Sequence, residues 1–530
     1  MKLPSRRHFL QQAAFAAAAA SLGPWARLLE AQASDVIAET AYGRIRGTAI
    51  GDVKIFKGVP YGASTAGTNR FMPPVKPAAW TGVRDALAYG PSTPQTVPGP
   101  NVRLAQPESE DCLVLNVFTP GLNDGRKRPV MVWLHGGGFS SGSGSSPRYD
   151  GTSLARTHDV VLVSINHRLN AFGFTYLGDV APEFAASGAV GMLDIVAALE
   201  WVKTHIDRFG GDPDLVTIFG QSGGGRKVAT LMAMPSADGL FHRAVIESGA
   251  ILKLLTPEQG QQTTALLLKA LGLKPGQVRE LQQVPMARLI AANEATETTR
   301  PLPEVGMAAG SPTVDGRFIP QHPWHPGAPA LSARIPLLIG WTHTEETWYQ
   351  RPTPENLAMT EAGMRALIGK RLGAQADPVI AAFRAANPTA TPYDLNILIT
   401  TEHPRGSYSR ELARRKAAQG AAPAYLYRFD WETPEGGGHM RAPHTAEIAF
   451  AFNNIATAGP LISTRADAHA LAAKVSAAWV AFARTGNPNV PQLPAWPAYS
   501  GERRDTMLFD NDSRIVPDPD RGPRLAMERA

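Results

Sequence analysis

Residues 219–235 read FGQSGGGRKVATLMAMP, and within them Ser222 has a side chain suited to covalent chemistry. Three glycines follow it, then Arg226 and Lys227. Two unrelated chemistries use stretches of this kind. A phosphate-cradling loop requires Gly-x-x-x-x-Gly-Lys-Ser/Thr. Gly220 and Gly225 have that separation, but Arg226 stands where the lysine belongs, Lys227 is one position late and Val228 replaces the magnesium-binding hydroxyl. The competing pattern, Gly-x-Ser-x-Gly, is met in full by Gly220, Gln221, Ser222, Gly223 and Gly224. It follows the apolar run LVTIF (215–219) and precedes RKVATLMAM, where Arg226 and Lys227 are expected to begin a helix. A strand-to-helix turn this tight strains the serine backbone and pushes its oxygen out of the sheet, while flanking glycines remove the side chains that would clash.

A serine hydroxyl is a weak nucleophile near neutral pH. It needs a base to take its proton and donors for the oxyanion that forms. LHGGGF (134–139) follows another apolar run and can supply the donors. Gly137 and Gly138 would offer backbone N–H groups to a substrate without obstruction, and the Gly223 amide would complete the set. For the base, His403, His439 and His444 remain open from residue type alone, as do Glu345, Glu346 and Asp315 for an acid.

These groups need a rigid frame. Continuous apolar runs at 130–134, 160–165, 215–219, 243–248, 335–340 and 424–429 read as strands buried on both faces of a parallel sheet. Between them, Met192, Val196, Leu199, Val202 and Ile206 step by three or four along one helical face. Strands alternating with helices predict an α/β fold with crossover connections. Residues 254–300 and 353–387 are rich in Ala, Leu, Gln and Glu and are expected to form helical insertions over one end of the sheet.

The chain has 530 residues, 44% hydrophobic and 18% charged, ample for a large core. Its formal net charge is +6, of which Lys2, Arg6, Arg7 and Arg27 against Glu30 place +3 in the first 33 residues. The remaining +3 forms no basic stripe, which argues against nucleic-acid or anionic-membrane binding. Residues 1–33 have the organisation of a cleaved leader: paired Arg6 and Arg7, a short apolar stretch (AAFAAAAASL) and a small-x-small site at AQA. Paired arginines predict export by the twin-arginine route and a periplasmic or secreted mature chain, residues 34–530. Beyond the leader no apolar stretch is expected to span a bilayer, so no stable membrane insertion should follow cleavage. With Cys112 as the one cysteine, an intrachain disulfide and a zinc-thiolate cluster are both excluded. The spacing in HPWH (322–325) is unsuited to a helical metal pair because Pro323 and Trp324 intervene.

Taken together, these segments resemble a bacterial exported member of the type-B carboxylesterases, the carboxylesterase and cholinesterase family of the α/β-hydrolase fold. FKGVPYG (56–62), RFMPP (70–74), SEDCLVLNVFTP (109–120), FGGDP (209–213), VTIFGQSGGG (216–225), FARTGNPN (482–489) and PAWPAY (494–499) carry the likeness. The resemblance implies a large, mostly parallel central sheet flanked by helices, in a single catalytic domain spanning 34–530. It implies a serine esterase that cleaves small carboxylic esters through an acyl-serine, with no metal or organic cofactor, as a monomer or a homodimer. By resemblance, IPLLIGWTHTEETWY places the acid on Glu345 and RAPHTAEIAFAF places the base on His444, with Glu447 as a structural neighbour and Gln221 and Ser248 as supporting residues. A specialised feruloyl, aryl or toxin ester hydrolase is the alternative within enzymes. A non-catalytic binding module of the family would lack the triad, whose three residues are all present here.

Several positions depart from the family. Gln221 stands where Glu is usual, removing a negative charge that would attract a choline-like cation. Thr93 stands where a cysteine often pairs with the equivalent of Cys112, so packing must hold that loop. His167 and Val190 replace the usual Tyr and Asn. The resemblance further implies scaffold ion pairs Arg70–Glu110 and Arg168–Asp194. Phe139, Trp341 and Trp348 are expected either to line an apolar substrate pocket or to pack in the core.

Overall fold

The computed structural model describes residues 33–96, 106–302, 310–457 and 461–530. The leader expectation therefore lies outside the described residues, apart from Ala33. Thirteen strands form one sheet among the described residues. They are β1 (Ala33–Thr40), β2 (Gly43–Ile50), β3 (Val53–Pro60), β4 (Val83–Asp85), β5 (Val114–Thr119), β6 (Arg128–Leu134) and β7 (Val161–Ile165). β8 (Gly211–Gln221), β9 (Arg243–Glu247), β10 (Leu337–Thr342), β11 (Ala424–Phe429), β12 (Asp505–Phe509) and β13 (Arg514–Pro517) complete it. The order is β1-β2-β3-β5-β7-β6-β8-β9-β10-β11-β12-β13, with β4 beside β2. From β7 to β12 every neighbouring pair is parallel, and the flanking pairs along that path are antiparallel. This is the mostly parallel α/β sheet that the apolar runs predict.

The parallel strands bury both faces, and the period of two divides their side chains between two cores. In β6, Val130, Val132 and Leu134 enter one core while Met131 and Trp133 enter the other. The first core is covered by the helix Val190–His205, whose predicted face of Met192, Val196, Leu199 and Val202 is buried. The second is covered by the helix Ala466–Thr485, through Leu471, Val475, Trp479 and Phe482. The helical run Pro182–Phe209 is long and apolar enough to cross a membrane, contrary to expectation, and 83% of its most apolar window is buried inside the protein. Its hydropathy is that of a core helix.

The six expected strands correspond to β6 through β11. Boundaries move: β8 starts at Gly211, four residues ahead of its apolar run, and β10 starts at Leu337 because Pro336 has no N–H to offer the ladder. The antiparallel strands at the sheet edges carry a weaker signal. β2 alternates buried and exposed residues, but two of its inward positions are the small Gly47 and Ala49.

Both insertions are helical. Pro257–Leu271, capped by the reciprocal Thr256–Gln259 box, and Met286–Thr296 pack Leu267, Leu271 and Leu289 against Phe71 and Phe172. Glu361–Leu372 and Ala376–Ala386 share a core with Leu395 and Ile399, so the second insertion extends past 387 into the helix Pro392–Thr401.

The chain's path through the sheet creates the crevice. From β6 it crosses to β7 on one side, then to β8 on the other. A sheet of this kind opens a cleft at the carboxyl ends of the strands flanking such a reversal. Leu134 ends β6, pairs with Gly220 of β8, and precedes the HGGG segment. The two glycine-rich motifs, 86 positions apart from Gly137 to Gly223, thus emerge side by side.

Candidate active site

Ser222 occupies the single residue between β8 and the helix Gly223–Leu231, at φ 57°, ψ −120°. This conformation is costly for a residue with a Cβ. It is held by the Ser222 N–H, which donates to the Glu247 carbonyl at 2.8 Å. The helix begins at the glycines themselves, three residues earlier than the Arg226 start expected from sequence. The difference matters, because the first N–H groups of a helix lack internal partners and lie at the positive end of its dipole. Gly223 thereby presents an uncommitted amide beside Ser222.

Backbone crowding explains the glycines. A Cβ on Gly224 would overlap the Leu134 carbonyl, and one on Gly220 would lie 2.6 Å from the same oxygen. A Cβ on Gly223 would overlap the main chain of Gly138. Gly137 and Gly138 adopt φ 89° and 64°, a region that L side chains rarely enter. Gly138 and Gly223 therefore meet as bare backbone next to Ser222, with Gly137 adjoining Gly138 in the chain.

Glu345 opens a short helical turn just past β10, and His444 lies in the loop after β11. The two segments are sewn together. Thr344 N–H donates to the Ala442 carbonyl at 3.1 Å, Ala442 N–H donates back to Thr344 Oγ1 at 3.0 Å, and Thr347 Oγ1 donates to the Met440 carbonyl at 2.8 Å. His444 Nδ1 then hydrogen-bonds Glu345 Oε2, whose other oxygen accepts from Thr342 N–H at 2.9 Å. Of the alternatives, Glu346 faces Gln350, Asp315 Oδ1 accepts N–H groups from Arg317, Phe318 and Ile319, and His403 contacts Ser407.

Gln221 links the serine segment to the histidine. Its Nε2 lies 3.3 Å from His444 Nδ1 and 3.4 Å from Nε2, against the ring rather than end-on to either nitrogen. Ser248, at φ 51°, donates from Oγ to Glu447 Oε1 at 2.6 Å, and its carbonyl accepts from Arg405 at 2.8 Å.

Ser222 is 9% exposed, His444 2% and Glu345 fully buried. Burial lowers the His444 pKa from its ordinary value, and the Glu345 charge opposes this only in part. Burial alone would raise Glu345, but His444 and Arg405 outweigh it and hold the carboxyl below its usual range. Beneath them lie two further buried acids. Glu247, which accepts from Trp479 Nε1 at 2.7 Å, is raised by burial to about 7. Glu447 is raised further by burial and by the Glu345 and Glu247 charges.

Sequence reasoning missed the buried cations. Lys227 Nζ donates to the His135 carbonyl at 2.9 Å, just ahead of the glycine triplet. The His135 ring stacks on His167, with centroids 5.0 Å apart. Arg226, Arg405 and Tyr349 surround the histidine, with the Tyr349 ring 5.4 Å from the His444 ring. Two adjacent charges in an otherwise apolar segment after Ser222 were the available signal.

The scaffold expectations are met by geometry. Arg168 and Asp194 form a doubly hydrogen-bonded pair at 2.7 and 2.8 Å, and Arg70 Nε donates to Glu110 at 2.7 Å. Thr93 Oγ1 donates to the His167 carbonyl at 2.6 Å and lies 3.3 Å from Cys112 Sγ, so hydrogen bonding joins packing in place of a disulfide. Phe139 and Trp341 are core residues, and half-buried Trp348 lies under Arg351.

The carboxylesterase family profile matches residues 34–372 and 398–525. This chain belongs to the carboxylesterase family. The para-nitrobenzyl esterase of Bacillus subtilis is 35% identical over 91% of the chain and 96% of its own length. The phenmedipham hydrolase of Pseudarthrobacter oxydans is 34% identical over the same shares. Among solved structures, a Geobacillus stearothermophilus carboxylesterase superposes with a TM-score of 0.81 at 39% identity, covering 92% of this chain and 99% of that one. The fold is therefore the α/β-hydrolase fold, and the carboxylesterase is an enzyme that hydrolyses carboxylic esters to an acid and an alcohol. The unmatched stretch between 372 and 398 contains the helix Ala376–Ala386 of the second insertion.

Proposed function

We propose that Ser222 is the nucleophile of this esterase, with His444 as its base and Glu345 orienting the imidazole. The observation that carries this reading is the strained Ser222 at the β8–helix turn, with the Gly223 backbone packed on Gly138. Ser222 Oγ attacks the ester carbonyl while His444 takes its proton. The oxyanion is held by the amides of Gly137, Gly138 and Gly223, which need no reorganisation as charge develops. His444 returns the proton to the alcohol oxygen as the C–O bond breaks, leaving an acyl-serine. Water then attacks the acyl carbon as His444 takes its proton, and His444 returns that proton to Ser222 Oγ as the acyl C–Oγ bond breaks and the acid departs. Glu345 stabilises the imidazolium formed in each half-reaction.

The test is turnover of para-nitrobenzyl and para-nitrophenyl esters of increasing acyl length by wild-type and Ser222→Ala protein. Loss of about 10⁴-fold or more in kcat is expected for Ser222→Ala, by analogy with other triads. Near-wild-type turnover by that variant would remove Ser222 from the mechanism.

We propose too that Arg6 and Arg7 direct twin-arginine export, placing the mature enzyme in the periplasm or outside the cell. The family match begins at residue 34, directly behind AQA, which supports a separable leader. Replacing both arginines by lysine should retain the uncleaved chain in the cytoplasm. Unaltered export would contradict this routing.

A further inference from the structure

Arg226 sits one helical turn beyond Ser222, its N–H donating to the Ser222 carbonyl at 3.0 Å. Its side chain is 5% exposed, and Nε is buried without a hydrogen-bond partner. The charge that reaches it at neutral pH is that of Arg405, which repels it; the nearby Tyr349 hydroxyl is held neutral, since desolvation pushes its pKa up. Arg405 is 9% exposed and balanced in part by Glu345, Glu346 and Glu447, but no carboxylate compensates Arg226 among the described residues. Lys227 differs: its ammonium has the His135 carbonyl and is lowered by burial to about 7, so it can shed its charge. Arg226 is lowered by burial only to about 9 and remains a cation at neutral pH. A desolvated guanidinium without a counter-ion is unfavourable and calls for an anionic partner.

The neighbours indicate where that partner would sit. Arg405 donates through Nη2 to Tyr349 Oη at 3.4 Å. Tyr349 is 52% exposed and its ring lies beside His444. His444 senses the charge of both arginines. The cluster thus borders solvent at the reacting centre.

We propose that Arg226, with Arg405 and Tyr349, forms a subsite that binds a carboxylate carried by the ester substrate. The proposal rests on Ser222 and His444 being the reacting groups. A guanidinium offers a planar fork that matches a carboxylate, and the Tyr349 hydroxyl adds a donor. The preferred substrates are then half-esters of dicarboxylic acids or acyl esters of hydroxy acids, according to which side of the scissile bond faces the cluster.

Two matched pairs test this. Monoethyl adipate against ethyl adipamate puts the carboxylate on the acyl side, and acetoxybutanoate against its primary amide puts it on the alcohol side. Turnover of the neutral amides tests the hydrolytic reading independently. The subsite predicts a kcat/KM ratio of anionic to neutral ester of about tenfold or more for one pair, collapsing toward unity in Arg226→Met. Calorimetry on wild-type enzyme supplies an arm that requires no variant, with adipamate expected to bind about tenfold or more tighter than the neutral adipamide. Ratios at or below one for both pairs overturn the subsite. So does a ratio unchanged in folded Arg226→Met, or equal binding of adipamate and adipamide.

Discussion

Gly223 and Gly138 are packed backbone to backbone, so closely that a Cβ on Gly223 would lie 2.5 Å from the Gly138 Cα. This contact joins the nucleophile's helix to the oxyanion loop. It also makes the proposed donors one unit, because neither segment can shift without the other.

Gly223→Ala should therefore injure catalysis more than folding. The methyl group must push Gly138 away, moving two proposed donors together. We expect kcat to fall about 10²–10³-fold, the effect of losing one oxyanion donor elsewhere. Overpacking should cost about 1–3 kcal/mol of stability. Steady-state kinetics and denaturant titration check the two effects separately.

Gln221 provides a test through pH. The active imidazole is neutral, and burial lowers the His444 pKa. Wild-type kcat/KM should thus be lost as pH falls through an inflection below 6.5. Gln221→Glu places a carboxylate against the same ring and favours the imidazolium. The inflection should move up by about one unit, so that activity fails at higher pH than in the wild type. The pH profile of kcat/KM for both proteins checks the shift and its sign.

Lys227→Met addresses a buried cation. Its folded pKa, about 7, lies below the 10.5 of an unfolded lysine. Between those values the unfolded chain binds more protons, so this residue makes stability rise with pH. Removing it should flatten that rise between pH 7 and 10, read from melting temperature across the window. The variant also strips the His135 carbonyl of its donor and should lower kcat.

How far the site could be read from the chain depended on the range of the contacts. Ser222 was legible because a strand, a tight turn and a helix are local features. His444 was not, since Glu345 is 99 residues away and Gln221 is 223 away, and only the family resemblance selected it. The edge strands were hidden by small inward residues such as Gly47. Arg226 reads in the sequence only as a helix start, and its burial is not legible because charged side chains are almost always solvated. At Thr93 the missing disulfide and the need for packing are legible in the sequence, but the hydrogen bonds of its hydroxyl are not.

The central claim is that Ser222 becomes covalently acylated. Treating the mature enzyme with a fluorophosphonate and mapping the adduct by mass spectrometry tests it most directly. The account predicts a single adduct on Ser222, formed in step with loss of ester hydrolysis and absent in Ser222→Ala. Full inactivation with the adduct on another residue, or unlabelled Ser222 in active enzyme, would contradict it.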